Sequence, residues 1–91
     1  MWVILLHKKM RAVRFTQSSR RHRLGRARIL EAMESVKPLP HGPADEQRYV
    51  WWGRDGRGLD IEVIAVDHPD YLLVIHAMPL SMRRTRRSDE A

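Results

Sequence analysis

Apolar and polar residues alternate along residues 59–66. Leu59, Ile61, Val63 and Ala65 fall on one side, and Asp60 and Glu62 lead the other. A period of two marks a strand with one buried face. Residues 48–52 predict the strand before it, with Val50 and Trp52 on one side and Tyr49 and Trp51 on the other. Residues 53–58, containing Asp55-Gly56, read as the hairpin connection. Asp67-His68-Pro69-Asp70 forms a second turn, and the strongly apolar residues 71–78 predict a central strand that Pro79 ends. Upstream the period changes. Ile29, Ala32, Met33 and Val36 recur at the spacing of one helical face, predicting a helix over residues 20–36 that Ser18 or Ser19 caps. Three prolines in residues 37–43 stop it. Extended backward, the stripe passes through Gly25, which would allow close approach to a neighbour, and His22.

Residues 3–6 and 13–16 can each be extended, and the second is the better first strand. Met10 opens an ordinary-looking beginning, so residues 1–9 are expected to be a peripheral extension. The expected fold is a single α+β domain over residues 1–91. An N-terminal helix packs on a small antiparallel β-meander, with room for one additional N-terminal strand, and residues 83–91 form a basic tail.

Two histidines give this arrangement chemical interest. A ladder pairing Val66 with Tyr71 sets His76 opposite Ile61, on the face of Val63 and Ala65. That face is taken as the helix-covered one, because Asp60 and Glu62 mark the other. His22, at the start of the helical stripe, is then expected near the same face, so both imidazoles meet at one edge of the sheet. A one-residue bulge would reverse this parity.

Charge gives the pair a context. The first thirty residues carry nine basic side chains and no acid, residues 31–78 carry nine acids against four bases, and the last thirteen carry four Arg against two acids. Of the 17 bases, 14 are Arg, whose planar fork binds phosphate bidentately and stacks on bases. A phosphate backbone is the natural counterpart, and a solvated basic face is the alternative. Arg20, Arg21, Arg23, Arg26 and Arg28 fan over the helix. Arg54 and Arg57 sit on a hairpin tip, and Arg83, Arg84, Arg86 and Arg87 on the tail.

Other classes are excluded or disfavoured. The absence of Cys removes thiol catalysis and Cys-type zinc sites and fits a reducing cytoplasm. The five His show no metalloprotease spacing, so neither metal nor other cofactor is expected. The N-terminal apolar run, residues 2–6, is far short of the roughly twenty residues of a membrane span. Its charges follow the run, unlike those of a signal peptide. Two imidazoles beside arginines suit RNA cleavage by internal transesterification, although each histidine alone also fits a structural role. Adjacent Trp51 and Trp52 must face opposite sides of a strand. One at most is core, and the other is a base-stacking platform or a partner contact.

The segment Asp45-Glu46-Gln47-Arg48-Tyr49-Val50-Trp51-Trp52-Gly53, the glycine-rich turn after it, the strand end Val74-Ile75-His76-Ala77-Met78-Pro79 and the basic tail resemble small toxins of bacterial toxin–antitoxin pairs, nearest the BrnT-like and RelE-like ribonuclease toxins. The start Ser18-Ser19-Arg20-Arg21-His22 is similar to the basic, His-containing helix start of related small proteins. The resemblance covers roughly residues 13–84. It implies a RelE-like fold, cleavage of mRNA or another RNA, and neutralisation by a cognate antitoxin. By position Arg48 matches the Arg of the acidic-Arg strand start, and His76 to Arg84 match the region of basic catalytic residues. BrnT-like chains tend to have Ser-Ala-Arg where this one has His76-Ala77-Met78, so His76, Arg83 or Arg84 would replace the missing Arg.

The expectation is thus a cytoplasmic, metal-independent endoribonuclease toxin that blocks translation. Its expected catalytic groups are His22, His76, Arg48, Arg83 and Arg84. RNA is expected to bind through Arg20, Arg21, Arg23, Arg26, Arg54, Arg57, Arg86 and Arg87. The expected partners are RNA, which need not be ribosome-bound, and an antitoxin with an acidic or amphipathic segment, with no membrane. A non-catalytic RNA- or DNA-binding module and a partner-binding regulatory protein are the alternatives.

Overall fold

A computed structural model describes residues 1–82. The chain is α+β. Six strands, β1 (Trp2–Leu6), β2 (Lys9–Phe15), β3 (Leu39–Pro40), β4 (Arg48–Arg54), β5 (Asp60–Asp67) and β6 (Leu72–Pro79), form one mixed sheet in the order β1-β2-β6-β5-β4-β3. The β4–β5–β6 meander is antiparallel, and β2 runs parallel to β6. The helix α1 (Arg26–Ser35) packs against β4 and β5, and residues 80–82 are again helical. No helix among the described residues is long and apolar enough to cross a membrane.

The first departure from expectation is the N-terminal hairpin. Residues 2–6 are not a peripheral extension; they form β1, which pairs antiparallel with β2 and buries Ile4 and Leu6 in the core. Its two-residue turn places His7 and Lys8 at φ 52° and 67°. A primed hairpin turn demands this left-handed backbone, and Gly or Asn normally supplies it. The sheet also curls, so that the His7 ring lies 5.8 Å from the Tyr49 ring on β4.

The second departure is the helix start, which lies at Arg26 and not at residue 20. Hydroxyl groups capture the intervening backbone. The Ser19 hydroxyl donates to the Thr16 carbonyl at 2.6 Å, the Ser18 hydroxyl donates to the Ile75 carbonyl at 3.2 Å, and Thr16 N–H donates to the Val74 carbonyl at 3.0 Å. Such local bonds compete with a helix, and here they pin a single 3₁₀ turn, Ser18–Arg20, against β6. Neither serine caps α1. The extended Gly25 does so without a side-chain bond, and Ser19 is buried. A helix begun at residue 20 would also crowd Arg20, Arg21 and Arg23 onto its positive end.

From Arg26 onward Ile29, Leu30, Ala32 and Met33 are buried against the sheet, but Val36, expected as the last member of the stripe, is extended past the helix end and 39% exposed. The glycine that admits the helix is Gly53 on β4, not Gly25. A Cβ at Gly53 would lie 2.0 Å from the Ala32 carbonyl oxygen, whereas one at Gly25 would meet nothing within 4 Å. Trp51, 1% exposed, lies on this covered face with Ile61, Val63, Ala65, Leu72, Val74 and Ala77. Asp55 fastens the helix to the β4–β5 hairpin. Its carboxylate accepts from Arg28 Nε at 2.7 Å and from the N–H groups of Arg57 and Leu59 at 2.9 Å each.

Candidate functional site

The register of β5 and β6 decides where His76 points. Near the turn Asp67 pairs with Leu72 and Ala65 with Val74; beyond it Ile64 pairs with His76 and Val63 with Ala77. Ile75 is therefore an extra residue, a bulge that reverses side-chain parity from that point on. His76 lies opposite Ile64 and not Ile61. It shares the face of Glu62 and Trp52, which is the side of the sheet away from α1. The covered-face placement expected from simple counting is wrong for this reason.

The two imidazoles nevertheless come together. The loop from Thr16 to Gly25 crosses the bulge, tied there by the Ser18 hydroxyl, and brings the His22 ring to 6.5 Å from the His76 ring at an interplanar angle of 81°. Glu62 joins them. Its Oε1 is 3.3 Å from His76 Nε2, and its Oε2 accepts from Trp52 Nε1 at 2.8 Å. The Glu62 side chain is only 9% exposed and that of His76 34%. A nearly buried carboxylate is tolerated because both oxygens are engaged. Trp52, the partner of Glu62 across β4 and β5, remains 46% exposed. Sequence parity had already separated the two tryptophans. It had not shown that the outward one would anchor a carboxylate beside a histidine pair. Alternation placed Trp52 and Glu62 on matching sides of their strands, which was the one available signal for that contact.

The arginines divide by partner. Arg11 pairs with Asp67 and donates to the His68 carbonyl, Arg28 pairs with Asp55, and Arg54 with Asp60 at 2.9 Å. The hydrogen bond to Asp60, and then its charge, raise the Arg54 pKa above the ordinary arginine value, so this exposed guanidinium is fixed as a cation. Arg48 is held by Glu46, and its guanidinium reaches the tight turn at Gly42, where a Cβ would lie 2.8 Å from it. On the ladder it stands two strands across and two residues along from His76, roughly 12 Å between backbones. With its guanidinium engaged there, it is not brought into the histidine cluster.

By contrast Arg20, Arg21 and Arg23, on the loop that carries His22, have no carboxylate partner among the described residues, nor does Arg57 on the hairpin tip. Arg20, Arg23 and Arg26 line one groove with Phe15, Thr16 and Gly25, and Arg26 lies over the Phe15 ring at 5.7 Å. Arg83, Arg84, Arg86 and Arg87 lie outside the described residues. Among those residues no three His, Asp or Glu are grouped so as to hold a metal ion.

The arrangement joins a carboxylate-held imidazole, a second imidazole and an indole on one open sheet face, with unpaired guanidinium groups on the adjoining loop. Its two imidazoles can each accept or donate a proton, and the guanidinium groups can attract an anion. Comparison with family models, with curated proteins and with solved structures returned no match.

Proposed function

We propose that this chain is a metal-independent endoribonuclease working by internal transesterification, and that it serves in the cytoplasm as the toxin of a toxin–antitoxin pair. The observation that carries the proposal is the His22–His76–Glu62 cluster on the open face, with Arg20, Arg21 and Arg23 on the loop that carries His22. One imidazole takes the proton of the 2′-hydroxyl as that oxygen bonds to phosphorus. The other gives a proton to the 5′-oxygen as its bond to phosphorus breaks, leaving a 2′,3′-cyclic phosphate and a free 5′-hydroxyl. Glu62 favours His76 as the base, because a carboxylate on Nε2 holds the ring and leaves Nδ1 to receive the proton. His22 is then the acid. The near-perpendicular rings can address different oxygens of one phosphate, and the loop guanidinium groups offset charge growing on it.

The toxin role, the block of translation and the acidic or amphipathic antitoxin rest on the sequence resemblance. A RelE-like arrangement fits the β4–β5–β6 meander with α1 on one face. Arg48, held by Glu46, has a structural and not a catalytic part in this proposal.

Purified protein should cut RNA in EDTA, leaving cyclic phosphate ends, and its production in bacteria should stop translation. The His22→Ala, His76→Ala double variant should lose about 10²–10⁴-fold in rate, the usual scale of general acid–base catalysis. Undiminished cutting by that variant, folded by circular dichroism, removes the mechanism. RNA that is retarded on a gel but intact points instead to a non-catalytic binding module.

A further inference from the structure

We infer that Trp52 is a nucleobase platform beside the histidine pair, so that the chain takes its RNA single-stranded, with one unpaired base stacked on the indole. This rests on the RNA reading above and adds the class of strand and the residue that selects it.

Three observations carry it. Trp52 is 46% exposed on the sheet face that α1 leaves open, whereas its neighbour Trp51 is 1% exposed beneath the helix. An indole left half in water offers an aromatic face on which a ligand's ring can stack. Secondly, the ring is held in place. Its Nε1 donates at 2.8 Å to Glu62, which also meets His76, so the platform and the proposed base are fixed to one buried carboxylate. A base resting on Trp52 would therefore lie at a set distance from His76.

Thirdly, the surrounding charge selects the occupant. Arg20, Arg21 and Arg23, on the His22 loop, lack carboxylate partners among the described residues, whereas Arg54, two positions from Trp52 on the same face, is exposed but paired with Asp60. Two of the contacts of Glu62 are to Trp52 and His76, and its side chain is nearly buried, so this acid presents little charge outward. An anion with flat, unpaired rings satisfies both features. In a duplex the base faces are already stacked on one another, so only an unpaired base can use the indole.

The test uses the intact protein and short 2′-O-methyl RNA, which lacks the attacking hydroxyl and cannot be cut. Binding is compared for a single strand, the same strand with abasic positions, and its duplex. Trp52→Ala should weaken single-strand binding by about tenfold, within the range that base–aromatic stacking contributes. It should leave binding to the abasic strand and the duplex unchanged. Trp52→Phe should retain most of the affinity and Trp52→Leu should lose it, which keeps the test sound if the alanine variant unfolds. Equal affinity of wild type and Trp52→Leu for the single strand, or equal losses on all three ligands, overturns the platform while leaving RNA binding intact. Absence of binding to any of them overturns the platform together with the RNA reading beneath it.

Discussion

The two faces of the sheet are built from the same strands yet obey different rules. On the covered face Trp51, Ile61, Val63 and Ala65 are sealed by α1, and Gly53 has no side chain because the helix backbone occupies the space. On the open face the matching positions carry Trp52, Glu62 and His76, tied by directional bonds, with Trp52 and His76 still in reach of solvent. Shape complementarity holds the first face. The second spends part of its surface on groups that a stable core would exclude, as binding and catalytic sites commonly do.

The largest effect that sharpens this contrast is Trp51→Ala. Removing the buried indole should destabilise the protein by about 3–5 kcal/mol in urea unfolding, with any loss of activity following from unfolding. Gly53→Ala attacks the same face by overpacking. It should cost about 1–3 kcal/mol, because its Cβ meets helix backbone, which cannot swing aside as a side chain can. Trp52→Ala should cost less than Trp51→Ala, about 1–3 kcal/mol, chiefly the hydrogen bond to the nearly buried Glu62 carboxylate, while the single-strand affinity falls. A core-sized loss of stability at Trp52 would erase the distinction between the faces.

Two smaller effects test what fastens the frame. The N–H of Leu59 holds the Asp55 carboxyl below the usual carboxylate range; burial opposes this, and Arg28 and the N–H of Arg57 reinforce it. A folded-state pKa below the unfolded value gives stability that is present above the ordinary carboxylate pKa and is lost as pH falls through the lowered one. Asp55→Asn should therefore lower Tm at neutral pH and flatten its decline in acid. An unchanged acid limb would show that Asp55 is not a source of that decline. At the β1–β2 turn Lys8→Gly should raise stability by roughly 1 kcal/mol, since Lys8 holds φ 67°. Thermal unfolding measures it, and no gain would mean the turn relaxes in solution.

Much of the frame was legible in the sequence because it follows from local periodicity. The β4–β5–β6 meander, the Ile29–Ala32–Met33 stripe and the division of Trp51 from Trp52 all appear where the pattern sets them. The N-terminal hairpin did not stand out, since His7-Lys8 gives no turn signal and a five-residue strand at the chain end resembles an extension. The helix start was obscured because Ser18 and Ser19 are cap residues by type. Their hydroxyls found carbonyls of Ile75 and Thr16 instead, one of them more than fifty residues away.

The candidate site divides in the same way. Residue types and charge segregation marked His22, His76 and the loop arginines, because chemistry belongs to the side chain and is present before folding. Their meeting place belonged to the tertiary structure. The Ile75 bulge turned His76 to the open face, hydroxyl bonds to β6 drew the His22 loop across it, and Glu46 held Arg48 elsewhere. Composition and periodicity act over a few residues and can be read from the chain. A one-residue slip in a ladder is settled by contacts between distant segments, and here it decided which face of the sheet holds the imidazoles.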